Sequence, residues 1–478
     1  MNHKLILWTL GRTLQLEALC LVLPLLVTLL YHEDPRPFLL TILFAALVGT
    51  GLSRLRTKPD FYYREGFAVV GLVWVVLGLV GALPFRFSGL FGGYIDCLFE
   101  TVSGFTTTGA SILTEIEGLP LGLLFWRSFS SWLGGIGVVV FLLAFLPKLG
   151  DRSQVLVQAE SPGPVSSKLV PRTARSARIL TIIYLALTGA ELIALMIAGM
   201  PLYDAAVNTF ATVCTGGFSV LNQSIAGYGM PACEVIITVF MVLCSLNLGV
   251  FFLLWTGQRK LALQSEEMKF FLGMYALSVA AVFLVIVPGY DGAGHALRDA
   301  AFQVGSVVST SGFSTADFDA WPSLAKLILV GLMFIGGCAG STAGGMKCAR
   351  FLLLLRCAGR ALRRFNNPRS VKVIRLDGAV VEERTLNTVS VFFLLYLVLL
   401  MLVSLVVALD DVSLTTSFTA ALACLSNIGP GLDAVGPAGN FAALSGVSKL
   451  TLTFAMLAGR LELFPILILL RPDTWRKT

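Results

Sequence analysis

The sequence predicts an all-α polytopic membrane protein: two leading helices followed by four membrane-pore-membrane repeats around a central pore, about ten spans and four re-entrant pore loops in all. Three observations predict it. The chain is 56% hydrophobic and only 13% charged, with mean hydropathy +0.84, whereas soluble domains carry about 25% charged residues. Uncharged apolar runs recur along it at the ~20-residue length of a spanning helix. A short polar loop bearing glycine returns four times between those runs.

Residues 1–60 hold the two leading spans, Leu5 to Leu30 and Phe38 to Leu52, the first carrying Arg12 and Glu17. The first run is longer than the apolar stretch of a signal peptide and lacks a small-residue cleavage site, so it reads as a retained helix. Residues 61–150 form the first repeat, with runs Phe67 to Phe85 and Ser128 to Pro147. Residues 170–260 form the second, with Ile179 to Met200, interrupted by Glu191, and Val235 to Gly257. Residues 268–365 form the third, with Phe270 to Gly289 and Leu327 to Met346. Residues 385–478 form the fourth, with Thr388 to Leu409 and Leu450 to Leu470, the last carrying Arg460 and Glu462.

Lys and Arg near span ends stay on the cytoplasmic side. Arg54 to Arg64, Lys148 to Arg178, Arg259 to Lys269 and Lys347 to Arg384 are basic, while Pro201 to Pro231 has no Lys or Arg. Both termini are therefore expected inside. The net charge of +7 follows from this placement, and no nucleic-acid role is needed to explain it. The nine cysteines form no CxxC pair and read as small apolar packers. With only His3, His32 and His295, no histidine lies in an apolar run, which argues against a rival reading as a His-based intramembrane enzyme; no catalytic residue is assigned.

"TTTGAS" at Thr106 recurs as "CTGGFS" at Cys214, "STSGFS" at Ser309 and, degenerated, as "NIGPGLD" at Asn427. With the copies set on Gly109, Gly217, Gly312 and Gly431, Asp96, Asp204 and Asp299 stand thirteen residues upstream in the first three, and Glu100, Asn208 and Gln303 nine upstream. Each interval between loops holds two spans. The unit therefore reads span, half-helix, loop, span, with the Asp residues expected as half-helix N-caps or first-turn residues, the alternative being ion ligands. Non-helical backbone at membrane depth is tolerated only where protein buries it or where it lines a watery cavity. Four helix C-termini aimed at one centre would surround it with carbonyl oxygens and partial negative charge, the makings of a cation site. The residues expected to form that layer are Thr107, Thr108 and Gly109; Thr215, Gly216 and Gly217; Thr310, Ser311 and Gly312; and Gly429, Pro430 and Gly431, the alternative being ordinary re-entrant turns with glycine for packing.

The run from Leu327 carries "GGCAGSTAGGMK", five glycines in twelve residues. Each would cost a continuous helix ~1 kcal/mol relative to alanine, so a break is expected there. Gly336, Gly337, Gly340, Ser341, Thr342, Gly344 and Gly345 would then form a loop under the pore, the alternative being close helix packing through small residues. Lys347 ends this stretch and either joins the loop or faces the cytoplasm. Arg460 lies ten residues into an apolar run, where an ionisable group costs ~2.5 to 3.5 kcal/mol, and is expected to act on permeant cations from below the filter. A structural ion pair is its alternative, though not with Glu462, two positions on.

At these loops the sequence resembles the Trk/Ktr/HKT superfamily of potassium transporters, and specifically the Trk-type potassium-uptake membrane subunit, over nearly the whole chain. "GGCAGSTAGG" looks like that family's intramembrane gating loop. The resemblance implies a K+-conducting pore within each subunit of the inner membrane, K+ bound at the filter residues, pairing as a homodimer, and a cytoplasmic ring of nucleotide-binding regulatory subunits as partner. This chain has no nucleotide motif and calls for no cofactor of its own. Its basic cytoplasmic segments would dock that ring or contact anionic membrane lipid. In plant members a serine at the first filter glycine goes with Na+ preference, so Gly109 favours K+. Symport coupled to H+ or Na+ is the alternative mechanism, distinguishable by whether the reversal potential follows the second ion.

Overall fold

The computed structural model describes residues 3–55, 63–137, 174–369 and 372–475. Among these, six helices are long and apolar enough to cross a membrane: His3–Leu30, Arg36–Ser53, Glu65–Ser88, Arg178–Ile197, Glu266–Gly289 and Glu383–Asp410. The only strands among the described residues are two-residue partners in a hairpin, Arg375–Leu376 with Ala379–Val380.

The two leading helices pack backbone to backbone. A Cβ on Gly11 would meet Gly49 O at 2.9 Å, and one on Gly49 would meet Gly11 O at 2.9 Å. Only glycine at both positions permits that approach, the small-residue logic of membrane helix pairs. Four half-helices follow at intervals, Tyr94–Phe105, Leu202–Val213, Ala293–Val308 and Leu414–Leu425, each buried along most of its length. They run 12, 12, 16 and 12 residues, too short to span. Behind the first, Trp126 donates its indole N–H to Gly81 O at 3.0 Å while its ring meets Phe105 edge-on, so the half-helix is wedged between both long helices of its repeat.

Several expected spans are broken rather than straight. Val235 to Gly257 is two helices, Pro231–Cys244 and Leu248–Trp255, bent by 90°. The cause is the polar step Ser245 to Asn247: Asn247 Oδ1 caps the second helix by accepting from Gly249 N at 2.7 Å, and Ser245 O is taken by Cys338 N at 2.9 Å. The run from Leu327 is helical only over Ser323–Ile335, ends at Gly336 with φ 69°, and resumes as Cys348–Asn366, as its glycines predict. The last run stops at Arg460, turns through Glu462 and Leu463 at φ 53° and 65°, and continues as Phe464–Leu470. Arg460 is thus the last residue of Gly446–Arg460, where a cation is favoured by the helix dipole, and not deep inside an unbroken helix. The part of Ser128 to Pro147 beyond Gly137, and most of the basic segment Lys148 to Arg178, lie outside the described residues.

The aspartates do not take the N-cap position; Asp96 and Asp204 take the first-turn alternative. The caps are Gly93, Pro201 and Gly292, without side-chain hydrogen bonds. Asp96 sits in the first turn and pairs with Lys449 of the fourth repeat at 2.7 Å. Asp299, buried within Ala293–Val308, accepts from Thr315 Oγ1 at 3.1 Å. The half-helices begin further upstream than the sequence register suggests, because the preceding Pro or Gly already supplies the extended entry. Glu191 is fully buried, with no ion pair among the described residues.

Candidate functional site

Each half-helix ends in the same backbone motif. Thr107, Thr215, Thr310 and Asn427 have φ of 54°, 58°, 60° and 55°, left-handed values that are rare for any residue but glycine. The residue after each donates its N–H five positions back: Thr108 to Ser103 O, Gly216 to Ala211 O, Ser311 to Ser306 O, Ile428 to Ala423 O. The left-handed residue itself donates three positions back, to Gly104, Thr212, Val307 and Cys424. This pair of bonds is the Schellman end of a helix, with its left-handed position filled by threonine three times and asparagine once. Asparagine tolerates that region, whereas a β-branched residue there costs ~1–2 kcal/mol.

Two residues further on, the chain is left-handed again at Gly109, Gly217, Gly312 and Gly429, with φ of 78°, 65°, 78° and 99°. This repeat of angles corrects the fourth register. The equivalent of Gly109 is Gly429, not Gly431, and the fourth counterpart of Thr107-Thr108-Gly109 is Asn427-Ile428-Gly429. Gly431 instead donates its N–H to Val435 O at 2.7 Å and packs against Thr419. Sequence alignment slid by two because the fourth loop contains two glycines flanking a proline.

The four loops close into a ring. A Cβ on Gly109 would fall against Gly216 O, one on Gly217 against Ser311 O, one on Gly312 against Ile428 O, and one on Gly429 against Thr108 O, all closer than 3.0 Å. Each glycine is therefore seated on the carbonyl that precedes its neighbour's glycine, in the cyclic order one, two, three, four, one. Asn427 Nδ2 reinforces the closing step by donating to Thr108 Oγ1 at 3.0 Å. Pro430 lies beside the ring, its Cδ 2.7 Å from where a Gly312 Cβ would stand. The ring carries no charged side chain.

Behind the ring, the polar column read from the sequence braces the segment after each of the first three loops. Glu100 accepts from Ser111 Oγ at 3.0 Å and Ile112 N at 3.0 Å, and holds a buried ion pair with Arg127 at 2.6 Å. Arg127 also donates to Ser219 O at 3.0 Å and stacks over Phe218 at 3.7 Å, tying the first loop to the second. Asn208 donates to the Tyr228 hydroxyl at 3.0 Å and Gln303 to Ala316 O at 3.2 Å. Sequence reasoning missed Arg127; the signal was an arginine directly ahead of an uncharged run and opposite an acidic half-helix position.

On one side of the ring lies a cavity of about 140 Å³ touching Gly109, Gly217, Gly312, Gly429 and Pro430, with Arg127 in its wall. On the other lies one of about 230 Å³ lined by the glycine-rich loop, Lys347 and Arg460. That loop is non-helical from Gly336 to Lys347, with Gly336, Gly340, Gly345 and Lys347 all at positive φ. Its contacts are specific. Gly344 N donates to Thr310 Oγ1 at 2.6 Å, and Gly345 N to Ser426 O at 2.8 Å. Lys347 folds back, its Nζ donating to Ala343 O, so it belongs to the loop. Arg460 donates to Thr342 O at 2.7 Å, Gly134 O at 2.6 Å, Gly135 O at 3.0 Å and Thr107 Oγ1 at 3.2 Å. Glu462 instead pairs with Arg350. All the expected gate residues thus gather on one side of the ring, and two of the ring's left-handed threonines touch them.

A ring of four glycine loops between two cavities, built by four repeats of one helical unit, defines a multi-pass membrane protein organised around a single central axis. A family model described as "Cation transport protein", TrkH, matches residues 36–476, and the chain belongs to that family. It is 39% identical to the Trk system potassium uptake protein TrkH of Salmonella typhimurium over 100% of both chains. It is 33% identical to the Trk system potassium uptake protein TrkG of Escherichia coli over 98% of this chain and 97% of that one. The crystal structure of the potassium transporter TrkH from Vibrio parahaemolyticus superposes with TM-score 0.90 at 34% identity, covering 100% of both.

Proposed function

We propose that this chain is the K+-conducting membrane subunit of a potassium uptake system in the inner membrane, with both termini cytoplasmic. The closed ring of Gly109, Gly217, Gly312 and Gly429 is the observation that carries the reading. Glycine lets four short loops meet around one axis and present backbone oxygens in place of an ion's hydration shell. The half-helix C-termini that enter the ring add partial negative charge, and no fixed anion there binds the ion too tightly to release. The loop from Gly336 to Lys347 is the gate, and Arg460 sets its position beneath the ring while repelling cations that lack the drive to pass. The subunit acts as a homodimer on a cytoplasmic ring of nucleotide-binding regulatory subunits. The names of its relatives, potassium uptake proteins of a Trk system, support this assignment.

The test is flux into proteoliposomes containing the purified protein, comparing K+, Rb+, Na+ and Li+, with a Gly109→Ser variant alongside. K+ and Rb+ are expected to pass in preference to Na+ and Li+, with that preference reduced in the variant. Robust flux whose selectivity Gly109→Ser leaves untouched rejects the filter.

A further inference from the structure

The gate loop is held on its ring side by Thr310, Ser426 and Arg460. Its opposite side is held by a side chain outside the repeat motifs. Glu267, in the first turn of Glu266–Ile286 and almost fully buried, accepts through one oxygen from two backbone donors. Ala339 N lies 2.6 Å away in the loop and Ala349 N 3.0 Å away in the first turn of Cys348–Asn366. One carboxylate oxygen thereby clamps the two ends of the loop together, and it stands at a helix N-terminus, where negative charge is favoured. The neighbouring Glu266 is tied outward: its N–H donates to Asp377 Oδ1 at 2.7 Å in the hairpin, and its carboxylate pairs with Arg356 at 2.7 Å.

We propose that Glu267 is the positioning residue that fixes the intramembrane loop beneath the ring and so sets how freely cations pass. The second half of that statement rests on the pore reading above; the first does not. Both donors are backbone groups that no other side chain is seen to satisfy; the loop's two ends are also joined by Cys348 N donating to Gly337 O at 2.9 Å, so losing the carboxylate loosens both ends together without parting them. Because the same helical turn is bonded to the hairpin, a pull on the hairpin would reach the loop through this residue.

The experiment is hydrogen–deuterium exchange of peptides covering 336–349 in the purified full chain, read beside K+ flux in proteoliposomes. Glu267→Ala is expected to speed exchange in that stretch about tenfold, as loss of a charge-assisted hydrogen bond implies, to leave the 383–407 helix unchanged, and to raise flux without altering K+ over Na+ preference. Glu267→Gln keeps an acceptor without the charge and should give about a threefold rise, neutral bonds being about half as strong; it carries the test if the alanine variant does not fold. Unchanged exchange, or a rise spread evenly over the chain, overturns the proposal. A local rise with flux equal to the parent's overturns the role in passage. If neither parent nor variant moves cations while the local rise appears, the role in passage is overturned and the clamp stands.

Discussion

The ring and the loop beneath it are both glycine-rich, non-helical and buried, yet they are held in different ways. In the ring, the loops are shaped by helix-ending backbone bonds repeated four times, and each glycine rests on its neighbour's carbonyl. In the loop, unrepeated backbone bonds to Ser245, Leu248 and Ser426 are joined by single side chains, Thr310, Arg460 and Glu267. A part fixed by four mutually enclosing copies has no single bond whose loss opens it. A part fixed by separate, unrepeated bonds, each worth about 0.5–3 kcal/mol, is loosened one bond at a time. The difference teaches that the ring is the more firmly enclosed of the two, and the loop the one that a single substitution can reach.

The strongest attack on the ring is Gly217→Ala, since the added methyl would overlap Ser311 O and would also force alanine to φ 65°. K+ over Na+ discrimination in the flux assay is expected to fall by more than about tenfold, since each ~1.4 kcal/mol is a factor of ten. The corrected register makes the next test sharp. Gly429→Ala should cost about tenfold in discrimination, because its methyl meets Thr108 O at φ 99°. Gly431→Ala should leave discrimination within about twofold, because its methyl meets Thr419 and Val435 outside the ring. Equal effects from the two would restore the sequence register.

Attacks on the loop should change rate and spare selectivity. Arg460→Gln removes charge-assisted bonds to Thr342, Gly134 and Gly135 and is expected to raise K+ flux several-fold, given about 1.5–3 kcal/mol per charged bond. Thr310→Val takes away the acceptor for Gly344 N but leaves the backbone ring in place. It should raise flux about two- to fivefold, the scale of one neutral hydrogen bond. A large selectivity loss from either variant would erase the distinction between the two parts.

The smallest effect is expected in the segment after the fourth loop, where the Ser413 and Thr416 hydroxyls donate to Asp433 and hold its carboxyl below the usual range. A depressed folded value stabilises the fold above the unfolded value of ~3.9 and loses that contribution as pH falls through the lower folded one. The melting temperature of Asp433→Asn should therefore lie slightly below the parent's near neutrality, and the gap should close as the pH drops below ~4. A gap that widens with acid would mean the bond is not to the carboxylate.

Much of this was legible in the sequence. Apolar run length marked the long helices, and the recurring loops with Gly109, Gly217 and Gly312 at one offset from the polar positions upstream marked three ring positions, because a backbone that must turn left-handed at the same point of each unit leaves glycine there. The glycine density of 336–345 marked the break in the third repeat for the same reason. These are local demands, and a residue's own conformational limits answer them. What only the tertiary structure decided depends on partners far apart in the chain. Gly429 displaces Gly431 because the ring must close on Thr108, more than three hundred residues away. Arg460 becomes a ligand of Thr342, Gly134 and Gly135 because its helix ends there. Arg127 and Glu267 matter only because folding carries them to Glu100 and to the ends of the loop, and a hydrogen bond is short-ranged and indifferent to how much chain lies between its partners.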